Sequence, residues 1–228
     1  MKYILHIDTS ADNGFAMVSH DGQVLSHKDN EDARSYAEAL SNDINTVLSD
    51  AGITEADLAA ITVCGGPGSY TGLRIGLATA KGICYALDKP LMMDNKLTLL
   101  ALSEYYNSEI KYDKYLTILP ARDKEYFISI HDADFNIFLA PQHIDEEQLL
   151  LNINELEGKI LTIGYIPNTL TTILSNKNIT IAEGQEIDKT SWARYSFDQY
   201  NCNSFVTISS SEPFYLKQVY THKPNKIN

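Results

Sequence analysis

The chain reads as an α/β protein whose mixed sheets are flanked by helices. Three observations predict that class. Three strand patterns separated by turn residues fall between Lys2 and His27. Helical and strand patterns then alternate to about Tyr106. Within that stretch a buried strand runs through a glycine-rich loop directly into a helix.

The first strand, Lys2 to Ile7, is nearly all apolar or β-favouring, which suggests burial on both faces. Asp8 to Gly14 is a turn cluster, Phe15 to His20 a second strand, and Asp21-Gly22 a two-residue hairpin signal returning the chain as Gln23 to His27. A helix is predicted from about Ala33 to Asp50, capped by Asp32 and ended by Gly52. Tyr36, Leu40, Ile44, Val47 and Leu48 paint one apolar stripe along it. Leu58 to Cys64 is the next strand, followed by a helix at Leu73 to Leu87, a short strand at Leu91 to Met93, and a helix at Leu97 to Tyr106. Strands at Tyr115 to Leu119, Tyr126 to Ile130, Asn136 to Leu139 and Ile160 to Ile163 follow, with helices at Pro167 to Leu174 and Trp192 to Tyr200. No internal repeat shows in the sequence itself.

At 228 residues the chain suits one large domain or two small lobes sharing a hinge. Its 44% hydrophobic content is enough to bury a sizeable core. Acidic residues outnumber basic ones 30 to 18, for a net charge of -12, and no Lys/Arg run stands out. That argues against direct nucleic-acid binding by this chain alone and suits a basic protein partner. Cys64, Cys84 and Cys202 are odd in number and widely spaced, which fits a reducing cytoplasm better than disulfides or zinc. Met1 to Ile7 is too short for a signal-peptide core, and no stretch approaches membrane-spanning length, so a soluble cytoplasmic protein is expected.

The most informative stretch is Gly65 to Gly76, with Gly66, Pro67, Gly68, Ser69, Tyr70, Thr71 and Gly72 at its centre. Ser69 and Thr71 can cap the following helix, and free amides there could accept an anion. The spacing is neither a Walker A loop nor a dinucleotide fingerprint, so a loop shaped for packing or for a partner stands beside the phosphate reading. In the helix, Leu73, Leu77, Ala80, Cys84 and Leu87 form a heptad-like seam, and Ile75, Thr79, Gly82, Ile83 and Ala86 lie on the other side. Such a helix needs a cover on its second face, either its own domain or another chain.

Ile4 to Ser10, read as ILHIDTS, followed by GGPGSYTGLRIG at Gly65 to Gly76, resembles the TsaB (YeaZ) family. Ala121-Arg122 with Glu125, Thr162-Ile163-Gly164, and Glu212 to Leu216 are further echoes. The resemblance implies a two-lobed actin-like ATPase (ribonuclease H-like) fold, with lobes at 1–108 plus 205–228 and at 109–204. It implies a non-catalytic scaffold that associates with a TsaD-type catalytic subunit and a TsaE-type ATPase. Together these transfer a threonylcarbamoyl group to the adenosine beside the tRNA anticodon. Pairing in that family runs through the two first-lobe helices, here 33–50 and 73–87, so Tyr36, Leu40, Leu73, Arg74, Leu77, Ala80, Lys81 and Cys84 are the candidate interface. A homodimer is expected for the chain alone.

Departures sharpen the role. The catalytic relative holds its metal through a His-x-x-x-His pair where this chain reads Met92 to Leu99, and its six histidines are never four apart. No catalytic residue, metal or cofactor is therefore expected. Pro120 and Ser35 stand where many relatives have Asp and His. Asp8 matches the position where actin-like ATPases organise a metal-nucleotide, but a carboxylate capping its own turn through Thr9 and Ser10 is the favoured reading. His6 and Trp192 read as core residues. Two rivals remain: a free-standing actin-like phosphotransferase using ATP at the Asp8 and Gly65 loops, and a glycoprotease, for which no Ser-His-Asp set is evident.

Overall fold

The computed structural model describes residues 1–30, 36–166, 179–182, 184 and 186–215. The expected helix at 167–174, the start of the helix at 33–50, Ser35 and the chain from Leu216 onward lie outside the described residues.

Two five-stranded mixed sheets build the fold. The first comprises β1 (Tyr3–Asp8), β2 (Gly14–His20), β3 (Gln23–Asn30), β4 (Leu58–Cys64) and β5 (Leu91–Asp94), in the order β3-β2-β1-β4-β5. The second comprises β6 (Lys114–Arg122), β7 (Glu125–Asp132), β8 (Ile137–Asp145), β9 (Ile160–Gly164) and β10 (Ile179–Ala182), in the order β8-β7-β6-β9-β10. In each, the opening three strands are antiparallel and the last two join parallel to the first. The second sheet thus repeats the first strand for strand, which is the two-lobed actin-like, ribonuclease H-like architecture. The repeat is invisible in the sequence because strand order is set by burial and turn positions, which many sequences satisfy.

The hairpin at Asp21-Gly22 takes positive φ at both residues, as a tight primed turn requires. Helices α1 (Tyr36–Asp50) and α2 (Tyr70–Leu87) cover one face of the first sheet, where Leu5, Ile7, Ala16 and Val18 meet Leu40, Ile44, Leu77 and Ala80. On the other face Phe15 and Met17 join α3 (Lys96–Asn107), α5 (Lys189–Asn201) and residues of the second sheet such as Tyr115 and Leu161. This alternation along β2 is what lets one strand serve both layers. The helix α4 (Glu146–Glu155), absent from the sequence reading, lays Leu149 and Ile153 on the second sheet. Asp145 caps it by accepting from the Gln148 amide at 2.9 Å.

The position of α2 depends on missing side chains. A Cβ at Gly68 would strike the Ser10 carbonyl, one at Gly72 the Thr9 carbonyl, and one at Gly76 the Thr9 hydroxyl. The helix therefore rests directly on the turn after β1. Thr9 Oγ1 donates to the Gly72 carbonyl at 2.7 Å and the Ser69 amide to the Ser10 carbonyl at 2.8 Å.

One set of polar groups inside the core is tied together. Asp94 Oδ2 accepts from Thr62 Oγ1 and from Trp192 Nε1, both at 2.7 Å. His6 meets the edge of Trp192 at 5.1 Å, and burial lowers its pKa to about 3. His131 stacks on Phe135 at 4.4 Å, and burial lowers its pKa to about 4.

Two predictions follow from this packing. Gly72→Ala should cost about 1–3 kcal/mol or more, because backbone at Thr9 must move, and a urea-denaturation midpoint reads it. Histidines with depressed folded values are protonated first in the unfolded chain, so they lose stability for the fold as pH falls from 6.5 towards about 4. Asp94 acts in the opposite sense, since burial raises its pKa and the stability it gives at low pH is lost as pH rises. The His131 share is isolated by comparison: between about pH 7 and about pH 5, His131→Gln should lose roughly 2 kcal/mol less stability than the parent.

Candidate functional site

The glycine loop links β4 to α2, and several of its polar groups are engaged within the protein. Ser69 is the N-cap, accepting from the Gly72 amide at 3.3 Å. The Gly65 amide donates to the Asp94 carbonyl at 2.8 Å, the Leu73 amide to the Ser69 carbonyl at 2.9 Å, and the Gly66 carbonyl accepts from the Lys96 amide at 2.7 Å. Amides already donating to protein oxygens are withdrawn from any anion, so the geometry favours the packing reading of this loop. Because Ser69 caps it, α2 begins at Tyr70, most of a turn before the start expected from apolar periodicity.

The structure divides the eight candidate interface residues sharply. Tyr36, Leu40, Leu73, Leu77, Ala80 and Cys84 all lie in the interior, none more than 5% exposed. The seam at Leu73, Leu77, Ala80 and Cys84 is the side of α2 pressed against β1, β4 and α1, so these residues cannot touch another chain while the lobe is folded. Tyr36 instead donates from its hydroxyl to the Ala11 carbonyl at 2.7 Å. This corrects the expected interface: a heptad seam marks the most apolar stripe, and the lobe uses that stripe for itself.

Only Arg74 and Lys81 lie outside the core, and both hold the C-terminal segment. Arg74 Nε donates to Tyr215 Oη at 2.9 Å while its guanidinium sits 4.1 Å from the Tyr70 ring centre. Lys81 Nζ donates to the Ser211 carbonyl at 2.5 Å. The same segment pairs Val206 with Leu91 and donates from the Phe214 amide to the Gly65 carbonyl at 2.8 Å. Arg74 and Lys81 are thus anchors for a strap along α2, a role no local pattern in the sequence signals.

What α2 offers to solvent is its other side. Thr71, Ala78, Gly82, Tyr85 and Ala86 are exposed there, with Ile75, Thr79 and Ile83 half-buried, and Tyr85 is 84% exposed. Glycine 82 has no atom within 4 Å of where a Cβ would stand. The face is apolar, built largely of small residues and free of charge apart from Arg74. It contains the second-side residues Ile75, Thr79, Gly82, Ile83 and Ala86 that the helical pattern marked as needing a cover.

A separate cleft of about 600 Å³ lies beside the β1–β2 turn, lined by Asp8, Asp12, Asp29, Lys96, Glu186 and Lys189 among others. Asp8 accepts from the Ser10 amide at 2.9 Å, the turn-capping role expected of it. Lys189 pairs with Asp29 at 2.8 Å. Among the described residues no three His, Cys, Asp or Glu side chains converge as a metal-ligand set, and no helix is long and apolar enough to cross a membrane.

Comparisons with known proteins bear on this fold and helix. An uncharacterized protein of Mycobacterium tuberculosis is 41% identical over 90 residues, covering 39% of this chain and 43% of that protein. A tRNA N6-adenosine threonylcarbamoyltransferase of Erythrobacter litoralis is 35% identical over 129 residues, covering 49% of this chain and 38% of the enzyme. The matched stretches thus span less than half the length of these curated relatives. A solved structure of an uncharacterized Pseudomonas aeruginosa protein, described as similar to peptidase YeaZ, superposes with a TM-score of 0.75 at 19% identity, covering 95% of this chain and 100% of that one. YeaZ from Pseudomonas aeruginosa superposes with a TM-score of 0.71 at 18% identity over the same shares. Those two share the fold, in agreement with the YeaZ resemblance of the glycine loop. A family model described as TsaD, tRNA N6-adenosine threonylcarbamoyltransferase, matches residues 23–159, more than half of the sequence. The chain belongs to the TsaD family, in the two-lobed form shared with YeaZ (TsaB).

Proposed function

We propose that this chain is the non-catalytic scaffold of the tRNA threonylcarbamoyladenosine modification machinery, binding and stabilising a TsaD-type catalytic subunit through the outer face of α2. One observation carries the reading: a mainly apolar, small-residue helix face bordered by Arg74 stands open on a helix whose opposite side is already clamped in the core. Ala78 and Gly82 allow the backbone of a partner helix to approach closely, and Tyr85 supplies a large amphipathic anchor beside them. Family membership supports the process, and the lack of a histidine pair at Met92 to Leu99 removes the donors that the catalytic relative uses. The lobe contributing this face is taken as 1–108 with 205–228, because the strap lies along α2.

In this reading a TsaE-type ATPase completes the assembly, and the partner rather than this acidic chain contacts tRNA. A cytoplasmic setting suits its three free cysteines. Without a partner the same face covers itself, giving an isologous homodimer.

The cleft at Asp8 favours one second reading, an ATP-dependent phosphotransferase. Its cavity of about 600 Å³ brings a buried carboxylate and the buried Lys96 ammonium to one wall. Saturable ATP binding by the isolated chain, measured calorimetrically, would support it at the scaffold's expense.

A matched pair of substitutions tests the docking face. Gly82→Glu has room in the single chain and places a carboxylate at the centre of the face. It should leave a folded chain with a cooperative thermal transition that no longer depends on protein concentration, while abolishing both self-association and binding of the TsaD-type subunit in sedimentation experiments. Ala80→Glu, two residues away, puts the carboxylate in the core and should cost several kcal/mol, on the order of 3 or more. A Gly82→Glu protein that still assembles would overturn the assignment.

A further inference from the structure

A second cavity, of about 400 Å³, opens where the β5–α3 junction, α5, the edge strand β8 and the C-terminal segment meet. Its walls are mostly apolar and aromatic, with Ile137, Tyr195, Phe205, Val206 and Phe214 among them. One ionisable acid enters it. Asp94 ends β5, is 8% exposed, and takes both of its hydrogen bonds, from Thr62 and Trp192, on Oδ2. These two neutral donors fix the plane of the carboxylate. Among the described residues nothing donates to Oδ1, and no Lys or Arg lines the cavity.

A buried carboxylate is stable when its lone pairs are met and its charge is countered. Here Oδ2 is met by two neutral donors, and among the described residues no Lys or Arg of the cavity wall counters the charge. Burial accordingly pushes the Asp94 pKa up, and an incoming cation would supply the missing countercharge. The surrounding rings suit the same guest, since aromatic faces attract cations and cover an apolar body. Asn95, Thr98, Gln199 and Ser204 add neutral polar groups around the acid. Such a mainly apolar cavity with a few convergent polar groups has the make-up of a small-molecule site.

We propose that this cavity binds a small organic amine, a primary ammonium on an aromatic or similarly apolar body, with Asp94 Oδ1 as the acceptor. The cavity shares no lining residue with the docking face on α2, and its test does not alter that face.

Calorimetric titration of the whole chain with phenethylamine, 2-phenylethanol and phenylacetate separates charge from shape, because the three share one body. Phenethylamine should bind saturably and at least about tenfold more tightly than the alcohol, with phenylacetate weaker still. Asp94→Asn keeps an acceptor oxygen for Thr62 and Trp192 and should erase the advantage of the amine over the alcohol. Equal binding of amine and alcohol, no saturable binding, or an amine preference that survives Asp94→Asn would each overturn the proposal. The three-ligand comparison on the unaltered protein decides the matter even if the variant does not fold. Nα-acetyl-lysine methylamide, standing for a lysine presented by another protein, should bind more weakly than phenethylamine. The reverse order would overturn assignment to a free aromatic amine.

Discussion

Everything about the first lobe depends on how closely α2 lies on the turn after β1. Contact is backbone to backbone at Gly68 and Gly72 and backbone to the Thr9 side chain at Gly76, made possible because these positions carry no Cβ, and sealed by hydrogen bonds from Thr9 and Ser69. Once the helix is seated there, its Leu73, Leu77, Ala80 and Cys84 side chains have nowhere to go but the core. The outward side is then determined as well, because a helix pinned along one stripe must turn the opposite stripe to solvent. Glycines that could have been read as a phosphate cradle act first as a seat for a helix.

The C-terminal segment completes that arrangement from a distance of well over a hundred residues in sequence. Lys81 and Arg74 reach out to Ser211 and Tyr215, and Phe214 closes over Gly65. The docking face is therefore bordered by a strap that is itself tied to the glycine loop. Behind it, α3 and α5 join the sheets through one continuous apolar cluster in which Trp192 packs against His6 and Phe15. Trp192 also holds Asp94, so a residue expected only to fill space orients the one acid of the second cavity.

Much of this was legible in the sequence. Strand burial, the Asp21-Gly22 hairpin, the glycine loop and the all-round apolar character of α2 each follow from local rules, and Asp8 caps its turn as its neighbours suggest. The facing direction of α2 was not legible. Periodicity finds stripes but does not say which stripe the sheet claims, and the seam at Leu73 to Cys84 was assigned to the partner when it belongs to the core. The roles of Arg74 and Lys81 depend on where a distant segment returns, which no local pattern records. For α4 a signal existed, in the Asp145 cap and the spacing of Leu149 and Ile153. The duplicated sheet left no trace because topology constrains burial rather than residue identity.

The most direct test of the scaffold reading is size-exclusion chromatography with light scattering, on this chain alone and mixed with the TsaD-type subunit of the same organism. The account predicts a homodimer that converts to a stoichiometric heterodimer on mixing. A chain that stays monomeric alone and ignores that subunit would contradict it.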